Sequence, residues 1–368
     1  MTRKPLANNS FRLGHTWGLR VDAADMPPAF ARSLRGFALL CLLMTSCSPE
    51  QTKARAEAPA GAAAQHSSAR TGDSPSRVDP PSTKLAKRTS ASKAPPAAKA
   101  PPASKPEPDL TPYPWMAEHP ELTVYDDLSV RVKAPPGMTR VNLEPGSFGS
   151  WLRHLPMLPY GTPVRSYAGS RLRDGESDIV TGVVALDIGD ADLQQCADAV
   201  MRLHGEWRWS QGGKDQSYRA ASGTPLDYRR WSQGQRVVAK GASISWAATG
   251  KAKDDHVTFR KFMDAVFAWS NTVALSRMGK HVEYSALRPG DFLVEAGNPG
   301  HTVLVLDLVR GPDGSQRALL GQSYMPAQNF HVLKSPDGPW FKVSADAGVK
   351  TPFWPRAFKW EQLRRLDG

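Results

Sequence analysis

The feature that most limits what this chain can fold into is a long segment dominated by alanine, proline, serine and lysine. Residues 48–109 include the run KAPPAAKAPPASKPEPD and almost no large apolar side chain. Such a segment cannot bury enough apolar surface to offset the entropy lost on ordering. We therefore expect residues 47–109 to be a disordered tether with polyproline character. The foldable part is residues 110–368, a length that suits one globular domain with a real core.

The segment before the tether has the properties of a signal peptide. Two arginines precede the apolar run of residues 36–44, which is far shorter than the roughly 20 residues needed to span a bilayer. The small residues before Cys47 resemble a bacterial lipobox, in which the cysteine is lipidated and becomes the new first residue. We expect removal of residues 1–46, with Met26 as a plausible true start. A lipid on Cys47 would anchor the protein to a membrane of the bacterial cell envelope, most simply the outer membrane, facing the periplasm or the exterior.

The charge distribution argues against a nucleic-acid-binding protein. The chain has 47 basic and 35 acidic residues, a net charge of +12, and residues 1–47, 48–109 and 110–368 each contribute +4 of it. Two thirds of the excess charge therefore lies outside the expected domain. The domain sequence shows no concentrated basic patch of the kind that binds a phosphate backbone. We expect no nucleic-acid partner.

The domain sequence contains both helical and strand patterns. Residues 123–132, TVYDDLSVRV, alternate in polarity and predict a short strand. Residues 256–278 carry apolar side chains at helical spacing and predict one long amphipathic helix. Residues 290–297, 301–309 and 317–324 are apolar segments separated by loops with Gly and Pro, which is typical of an antiparallel meander. Together these patterns predict an α+β fold.

The expected domain contains a single cysteine, Cys196. Cys41 lies in the signal peptide and Cys47 at the lipidation site, which leaves Cys196 without a disulfide partner. Asp192 is a suitable N-cap and Gln195 completes a capping-box pattern, so we place Cys196 in the first turn of a helix, on its apolar face. This position suits a small core residue. It also suits a nucleophile, because the positive end of a helix lowers the pKa of a thiol.

Two polar residues further along the chain would complete a cysteine hydrolase site. His301 opens one apolar segment, and Gln322 lies in the next. An imidazole can take the proton of a thiol and return it to a leaving amine, and a third polar group can fix the ring. We therefore expect Cys196 as nucleophile, His301 as general base and Gln322 as the orienting residue. The remaining histidines lack metal-ligand spacing and no glycine-rich phosphate loop occurs, so we expect no metal and no cofactor.

Two short segments resemble parts of papain-like cell-wall amidases, the NlpC/P60 and CHAP groups. In PGDFLVEAGNPGHTVLVLDL a Gly-Asp strand precedes a His-led strand, and QQCADAVMRL is similar to the Cys-bearing helix of these groups. The resemblance implies an antiparallel sheet packed on the Cys196 helix in a papain-like arrangement, with additions. It also implies a cysteine-dependent amidase or peptidase that acts on cell-envelope material such as peptidoglycan. The sequence departs from these groups in the long separation of Cys196 from His301 and in its glutamine as third member.

Four longer blocks resemble an uncharacterised group of bacterial lipoproteins, domain-of-unknown-function family 4846. The blocks are SFGSWLRHLPM, VVALDIGDADLQQCADAVMRL, GDFLVEAGNPGHTVLVLDL and GQSYMPAQNFHVL. This resemblance implies no activity, and two alternatives to a hydrolase stay open. One is a non-catalytic envelope lipoprotein that binds a glycan or a partner protein through a Trp-rich surface. The other is an inactive relative that keeps the pocket as a ligand site. The sequence does not indicate the oligomeric state.

Overall fold

The computed structural model describes residues 107–175, 177–241 and 243–368, which all belong to one unit spanning residues 96–368. The expected signal peptide, the expected lipidation site at Cys47 and nearly all of the expected tether lie outside the described residues. None of the helices in the described ranges is both long enough and apolar enough to cross a membrane.

Six α-helices and three short 3-10 helices occur in the described ranges. The α-helices are α1 (Leu128–Arg131), α2 (Phe148–Arg153), α3 (Cys196–Ser210), α4 (Tyr228–Ser232), α5 (His256–Trp269) and α6 (Thr272–Met278). The 3-10 helices are Pro114–Ala117, Tyr284–Ala286 and Trp360–Gln362. The longest helix, α3, begins at the cysteine that the sequence places in a first helical turn.

Seventeen strands are described, and nine of them form the main sheet. The strands are β1 (Asp126–Asp127), β2 (Thr139–Arg140), β3 (Pro156–Met157), β4 (Val164–Arg165), β5 (Arg171–Arg173), β6 (Val180–Val183), β7 (Ser217–Arg219), β8 (Pro225–Asp227), β9 (Arg236–Lys240), β10 (Ser243–Ala247), β11 (Lys280–His281), β12 (Phe292–Glu295), β13 (His301–Arg310), β14 (Gln316–Gln322), β15 (His331–Leu333), β16 (Trp340–Val343) and β17 (Leu363–Arg365). The main sheet has the order β11-β17-β12-β13-β14-β15-β6, with β16 beside β14 and β2 beside β13. The other eight strands form four two-stranded sheets.

Strands β12, β13 and β14 form the antiparallel meander that the sequence predicts. Leu293 lies opposite Val303, and Leu304 lies opposite Gly321. Strand β13 is buried along its whole length except at Arg310, its last residue. A strand covered on both faces reads as a nearly continuous apolar run, and HTVLVLDLV has this pattern. The α+β class is confirmed.

The two faces of the main sheet are covered by different parts of the chain. Side chains alternate between the faces of a strand, and Leu304 and Leu306 pack in one apolar cluster with Val200 of helix α3. Val303 packs on the opposite side in a second cluster, which includes Trp354 from the C-terminal segment. The Cys196 helix therefore covers one face, and C-terminal aromatic residues cover the other.

Side-chain caps override the apolar pattern in two segments. The strand predicted over residues 123–132 is wrong for most of its length, because Asp127 Oδ1 accepts the Val130 N–H at 3.0 Å and starts helix α1. The single helix predicted over residues 256–278 is two helices, because the Asn271 side chain caps a new helix, α6, after α5 has ended. Capping oxygens of this kind satisfy the free N–H groups at a helix start.

Candidate active site

Cys196 is the first residue of helix α3. Gln195 is the N-cap, and its backbone N–H donates to Asp198 Oδ2 at 3.1 Å. The expectation that Asp192 caps the helix is wrong. Its Oδ1 instead accepts hydrogen bonds from the Gln195 side chain at 2.9 Å and from the Ala327 backbone N–H at 2.6 Å. These bonds hold the residues before the helix against the loop after β14 and place the thiol at the N-terminus of the helix.

Burial dominates the acidity of this thiol. Cys196 is only 5% exposed, and desolvation together with Asp198 raises the pKa of the thiol to about 12. The backbone N–H groups of Ala197 and Thr302 oppose this rise without cancelling it. The expectation of a lowered thiol pKa is therefore wrong for the unliganded site. Burial removes hydration that stabilises the thiolate, and this loss is larger than the stabilisation that the N–H groups at the helix start provide. In its resting state Cys196 is a neutral thiol.

The contact with Thr302 locates the sulfur in the sheet. Along a strand, successive backbone N–H groups point alternately toward the two neighbouring strands. The Val305 N–H donates to Asp291 O on the β12 side, so the Thr302 N–H, three residues earlier, points toward the β14 side. Strand β14 ends at Gln322, which leaves that N–H without a strand partner. The Cys196 sulfur lies against it. The thiol thus sits at the end of the sheet, beside the peptide bond that follows His301.

His301 and Gln322 are joined as the sequence predicts. His301 Nε2 and Gln322 Oε1 are 2.8 Å apart, and both side chains are buried. Because an amide oxygen only accepts, the His301 proton is on Nε2 and the lone pair is on Nδ1. The Nδ1 atom is buried and has no hydrogen-bond partner. No hydrogen bond links it to the Cys196 thiol in the described structure. The His301 side chain lies on the face that the C-terminal aromatic residues cover, opposite the face that helix α3 covers.

Aromatic side chains enclose the imidazole. The His301 ring centroid lies 4.8 Å from that of Tyr324, 5.2 Å from that of Trp354 and 6.0 Å from that of Phe358. Trp354 Nε1 donates to Glu295 Oε2 at 2.7 Å, which fixes the indole over the imidazole. Burial lowers the pKa of His301 to about 4. The ring is therefore neutral at physiological pH and can accept a proton.

An open cleft of about 440 Å³ lies beside Cys196. Its walls are the first turn of α3, the junction of α5 and α6, the loop of residues 297–300 that leads into His301, and Met325. A larger groove of about 720 Å³ beside Trp207 contains none of the three site residues. Cys196 lines the smaller cleft, whereas His301 and Gln322 do not.

Two of the remaining histidines make hydrogen bonds away from the cleft, and the tryptophans of the predicted Trp-rich surface are at least half-buried. His256 bridges Glu118 and Glu206, and His204 bonds the Asp367 carbonyl, both away from the cleft. No cluster of three or more potential metal ligands occurs among the described residues. Of the ten tryptophans in the described ranges, five are buried and five are half-buried, namely Trp207, Trp209, Trp246, Trp269 and Trp360. Binding of a glycan through these side chains stays a prediction.

Sequence reasoning missed four contributors to the site. Asp198 follows the cysteine by two residues, and Tyr324 follows the orienting glutamine by two, so spacing alone could have drawn attention to both. Trp354 comes from the C-terminal segment, and His331 reaches the site through strand pairing. Neither of these last two carries a local sequence signal.

The comparison with known proteins identifies a family without an activity. Neither a curated protein nor a solved structure was found to match the chain. The resemblance to papain-like amidases and the lipoprotein assignment therefore stay predictions. A family model does match residues 128–365, which is more than half of the chain and includes all three predicted site residues. The chain belongs to the family described as domain of unknown function (4846).

Proposed function

We propose that this protein is a cysteine-dependent amidase or peptidase with a papain-like arrangement of Cys196, His301 and Gln322. One observation carries the proposal. The His301 Nε2–Gln322 Oε1 hydrogen bond of 2.8 Å leaves the Nδ1 lone pair bare, and the backbone N–H of the next residue, Thr302, contacts the only cysteine of the described residues, Cys196. A base with a fixed tautomer beside a thiol at a helix N-terminus is the arrangement that nucleophilic catalysis requires.

The reaction would proceed in two displacement steps. The Cys196 thiol gives its proton to His301 Nδ1 as the sulfur attacks the carbonyl carbon of the substrate, and the carbonyl oxygen becomes an oxyanion. The backbone N–H groups of Cys196 and Ala197, in the first turn of α3, would stabilise that oxyanion. The C–N bond breaks as the imidazolium returns the proton to the amine. Water then cleaves the thioester, with His301 again acting as base, and regenerates the thiol.

The neutral resting state is compatible with this chemistry. A thiol with a pKa of about 12 and an imidazole with a pKa of about 4 do not exchange a proton while the site is empty. Each charge stabilises the other when the two groups form an ion pair at short range. A substrate in the cleft would bring the sulfur and Nδ1 into contact, as catalytic hydrogen bonds commonly tighten in the Michaelis complex.

The proposed substrate is cell-envelope material such as peptidoglycan. This part rests on the export signal, on the lipid anchor expected at Cys47 and on the resemblance to cell-wall amidases. The tether of residues 47–109 would let an anchored domain reach material away from the membrane surface. The cleft of about 440 Å³ has the size of a small-peptide site.

The test uses the purified full chain and peptide fragments released from peptidoglycan. We expect mass spectrometry to detect one cleaved amide bond, with a new amine and a new carboxylate. Cys196→Ala and His301→Gln should each reduce the rate by about 10³-fold or more. His204→Gln is the matched control, because His204 is also buried and neutral but lies on helix α3, outside the site. Full activity of Cys196→Ala would refute the proposal.

A covalent intermediate gives a second, independent readout. Acid quenching during turnover should trap an acyl group on the peptide that contains Cys196, and mass mapping distinguishes this site from Cys41 and Cys47. The same experiment with Cys196→Ala should show no acylation. Acylation of another residue, with activity retained, would assign the chemistry elsewhere.

A further inference from the structure

His331 faces Gln322 from the neighbouring strand. Gln322 is the last residue of β14, His331 is the first of β15, and the two lie directly opposite each other in the antiparallel pair. Directly opposite residues extend their side chains on the same face, with Cβ atoms about 4.5–5.5 Å apart. Both side chains are buried, with 1% and 0% exposure. Whatever hydrogen bonds they make must therefore come from the protein around them or from a trapped molecule.

The hydrogen-bonding atoms of these two side chains are complementary. Gln322 Oε1 is used by His301, and Gln322 Nε2 is buried without a partner. His331 Nδ1 lies 2.9 Å from the Asn329 carbonyl oxygen, so Nδ1 carries the proton and Nε2 carries a lone pair, which is also buried without a partner. Burial lowers the pKa of His331 to about 4, so the ring is neutral. A buried donor that faces a buried acceptor gains by pairing, because each is costly when left unsatisfied.

The loop before His331 holds its ring in this state. Asn329 Oδ1 accepts the Arg165 backbone N–H at 2.8 Å, and the Asn329 N–H donates to Arg165 O at 3.0 Å. The Asn329 carbonyl that receives the His331 proton is thereby fixed. Phe353 packs against the ring at 5.4 Å between centroids. The lone pair on Nε2 is therefore a permanent acceptor rather than one of two interchangeable tautomers.

A glutamine needs such a partner to orient a histidine. The two ends of an amide have nearly the same shape, but one accepts and the other donates. If the Gln322 amide turned over, its NH₂ group would face His301 Nε2, which would then have to accept. The His301 proton would move to Nδ1, and the lone pair that should receive the thiol proton would be lost. A carboxylate in the same place would not have this ambiguity.

We propose that His331 is a positioning residue: its Nε2 lone pair holds the NH₂ end of Gln322 and thereby keeps the proton of His301 on Nε2. His331 Nε2 and Gln322 Nε2 are not hydrogen-bonded in the structure, so the contact requires a rotation of one or both side chains. His301, Gln322 and His331 then form a line of three side chains, in which the contact from His331 fixes the amide of Gln322 and the amide fixes the ring of His301. The catalytic part of this inference rests on the proposed function.

Two variants of the full chain test whether His331 acts as a hydrogen-bond acceptor or only fills space. His331→Gln keeps an oxygen near the position of Nε2, whereas His331→Met fills similar space without a strong acceptor. We expect His331→Met to lower kcat about tenfold with little change in KM, which corresponds to the loss of one neutral hydrogen bond. His331→Gln should recover most of the wild-type rate. Thermal unfolding of both variants verifies that they are folded.

The tautomer of His301 can be read without any activity. Nitrogen NMR of the full chain with ¹⁵N-labelled histidine distinguishes Nε2–H from Nδ1–H, and the His301→Gln variant assigns the signal. We expect Nε2–H in the wild type and in His331→Gln, and a growing Nδ1–H fraction in His331→Met. An Nδ1–H tautomer in the wild type overturns the proposal even if every variant at position 331 misfolds.

The outcomes for the two proposals are distinguishable. If Cys196-dependent hydrolysis is found but His331→Met keeps the full kcat and the His301 tautomer, the positioning role is refuted and the function stands. If no variant hydrolyses anything, the function fails. The NMR comparison then decides the positioning role alone, since a tautomer that responds to His331→Met supports it and an unchanged tautomer refutes it.

Discussion

Replacing Arg202 with Met should destabilise the domain through helix α3, which begins at Cys196. Arg202 lies on α3 with no exposed surface. Its Nη2 donates to Asp187 Oδ1 at 2.5 Å and its Nε donates to Glu206 Oε1 at 2.7 Å. The substitution keeps much of the apolar stem but removes the cation between two buried carboxylates. Breaking a buried pair in this way leaves uncompensated charge in the interior.

The structure sets the expected size of the effect. Loss of one partner from a buried ion pair typically costs about 3–5 kcal/mol. Here each carboxylate keeps a second partner, because Arg260 Nε donates to Asp187 at 2.9 Å and His256 Nε2 lies 2.7 Å from Glu206. We therefore expect the low end of the range, about 3 kcal/mol in the free energy of unfolding at pH 7.

The same geometry gives the sign of the pH dependence. Burial alone would raise the pKa of Asp187, but the charges of Arg202 and Arg260 hold it well below its usual range. A carboxyl whose folded pKa is depressed stabilises the fold above its unfolded pKa of about 4 and loses that contribution as the pH falls. The variant lacks the strongest of these attractions. Its deficit relative to the wild type should therefore shrink between pH 7 and pH 3.

Urea unfolding of the full chain, followed by tryptophan fluorescence, measures both effects. Arg208→Met is the matched control, because Arg208 lies on the same helix and pairs with Asp215 at 2.9 Å, but at the surface. The control should change the free energy of unfolding by less than about 1 kcal/mol. The reasoning is refuted if Arg202→Met is no more destabilising than Arg208→Met, or if its deficit is as large at pH 3 as at pH 7.

Two further predictions concern the site. The thiol pKa rises from 9.0 to about 12 in the fold. Iodoacetamide at pH 8 should therefore alkylate Cys196 at least about 100-fold more slowly in the native chain than in urea, by peptide mapping, because only the thiolate reacts; equal rates would contradict the raised pKa. Gln322→Glu places a carboxylate against His301 Nε2 and should raise the pKa of His301 above its value of about 4. NMR titration measures this shift, and an unchanged value would show that the two side chains do not touch.

The core of the fold could be predicted from the sequence because its signals are local. The apolar segments around β12, β13 and β14 are bounded by Gly and Pro, and each became a strand of the meander. Their order along the chain also places His301 and Gln322 on adjacent strands. The polar residues before the cysteine predict a helix capped by Asp192, with Cys196 in its first turn. The helix begins three residues later than that prediction, at Cys196, with Gln195 as the N-cap.

The rest of the site depends on contacts that no local pattern encodes. His331 meets Gln322 only because β15 pairs with β14 in one register. Trp354 reaches His301 from a C-terminal segment without helix or strand. The thiol pKa likewise depends on the assembled interior. The helix start, which lowers this pKa, can be inferred from the sequence, but the burial that raises it cannot. Strand register and depth are decided by the whole fold.

If the predicted signal peptide directs export, the raised thiol pKa also bears on how an unpaired Cys196 could persist in an oxidising compartment. Oxidation and disulfide exchange act on the thiolate, so a buried thiol with a pKa of about 12 is nearly inert. The aromatic residues around His301 keep the base neutral by the same exclusion of water. Both groups would become reactive together only when a ligand in the cleft brings the sulfur to Nδ1. The desolvation of the site would then have two effects. It would protect the resting thiol from oxidation, and it would make the reaction of Cys196 depend on a bound substrate.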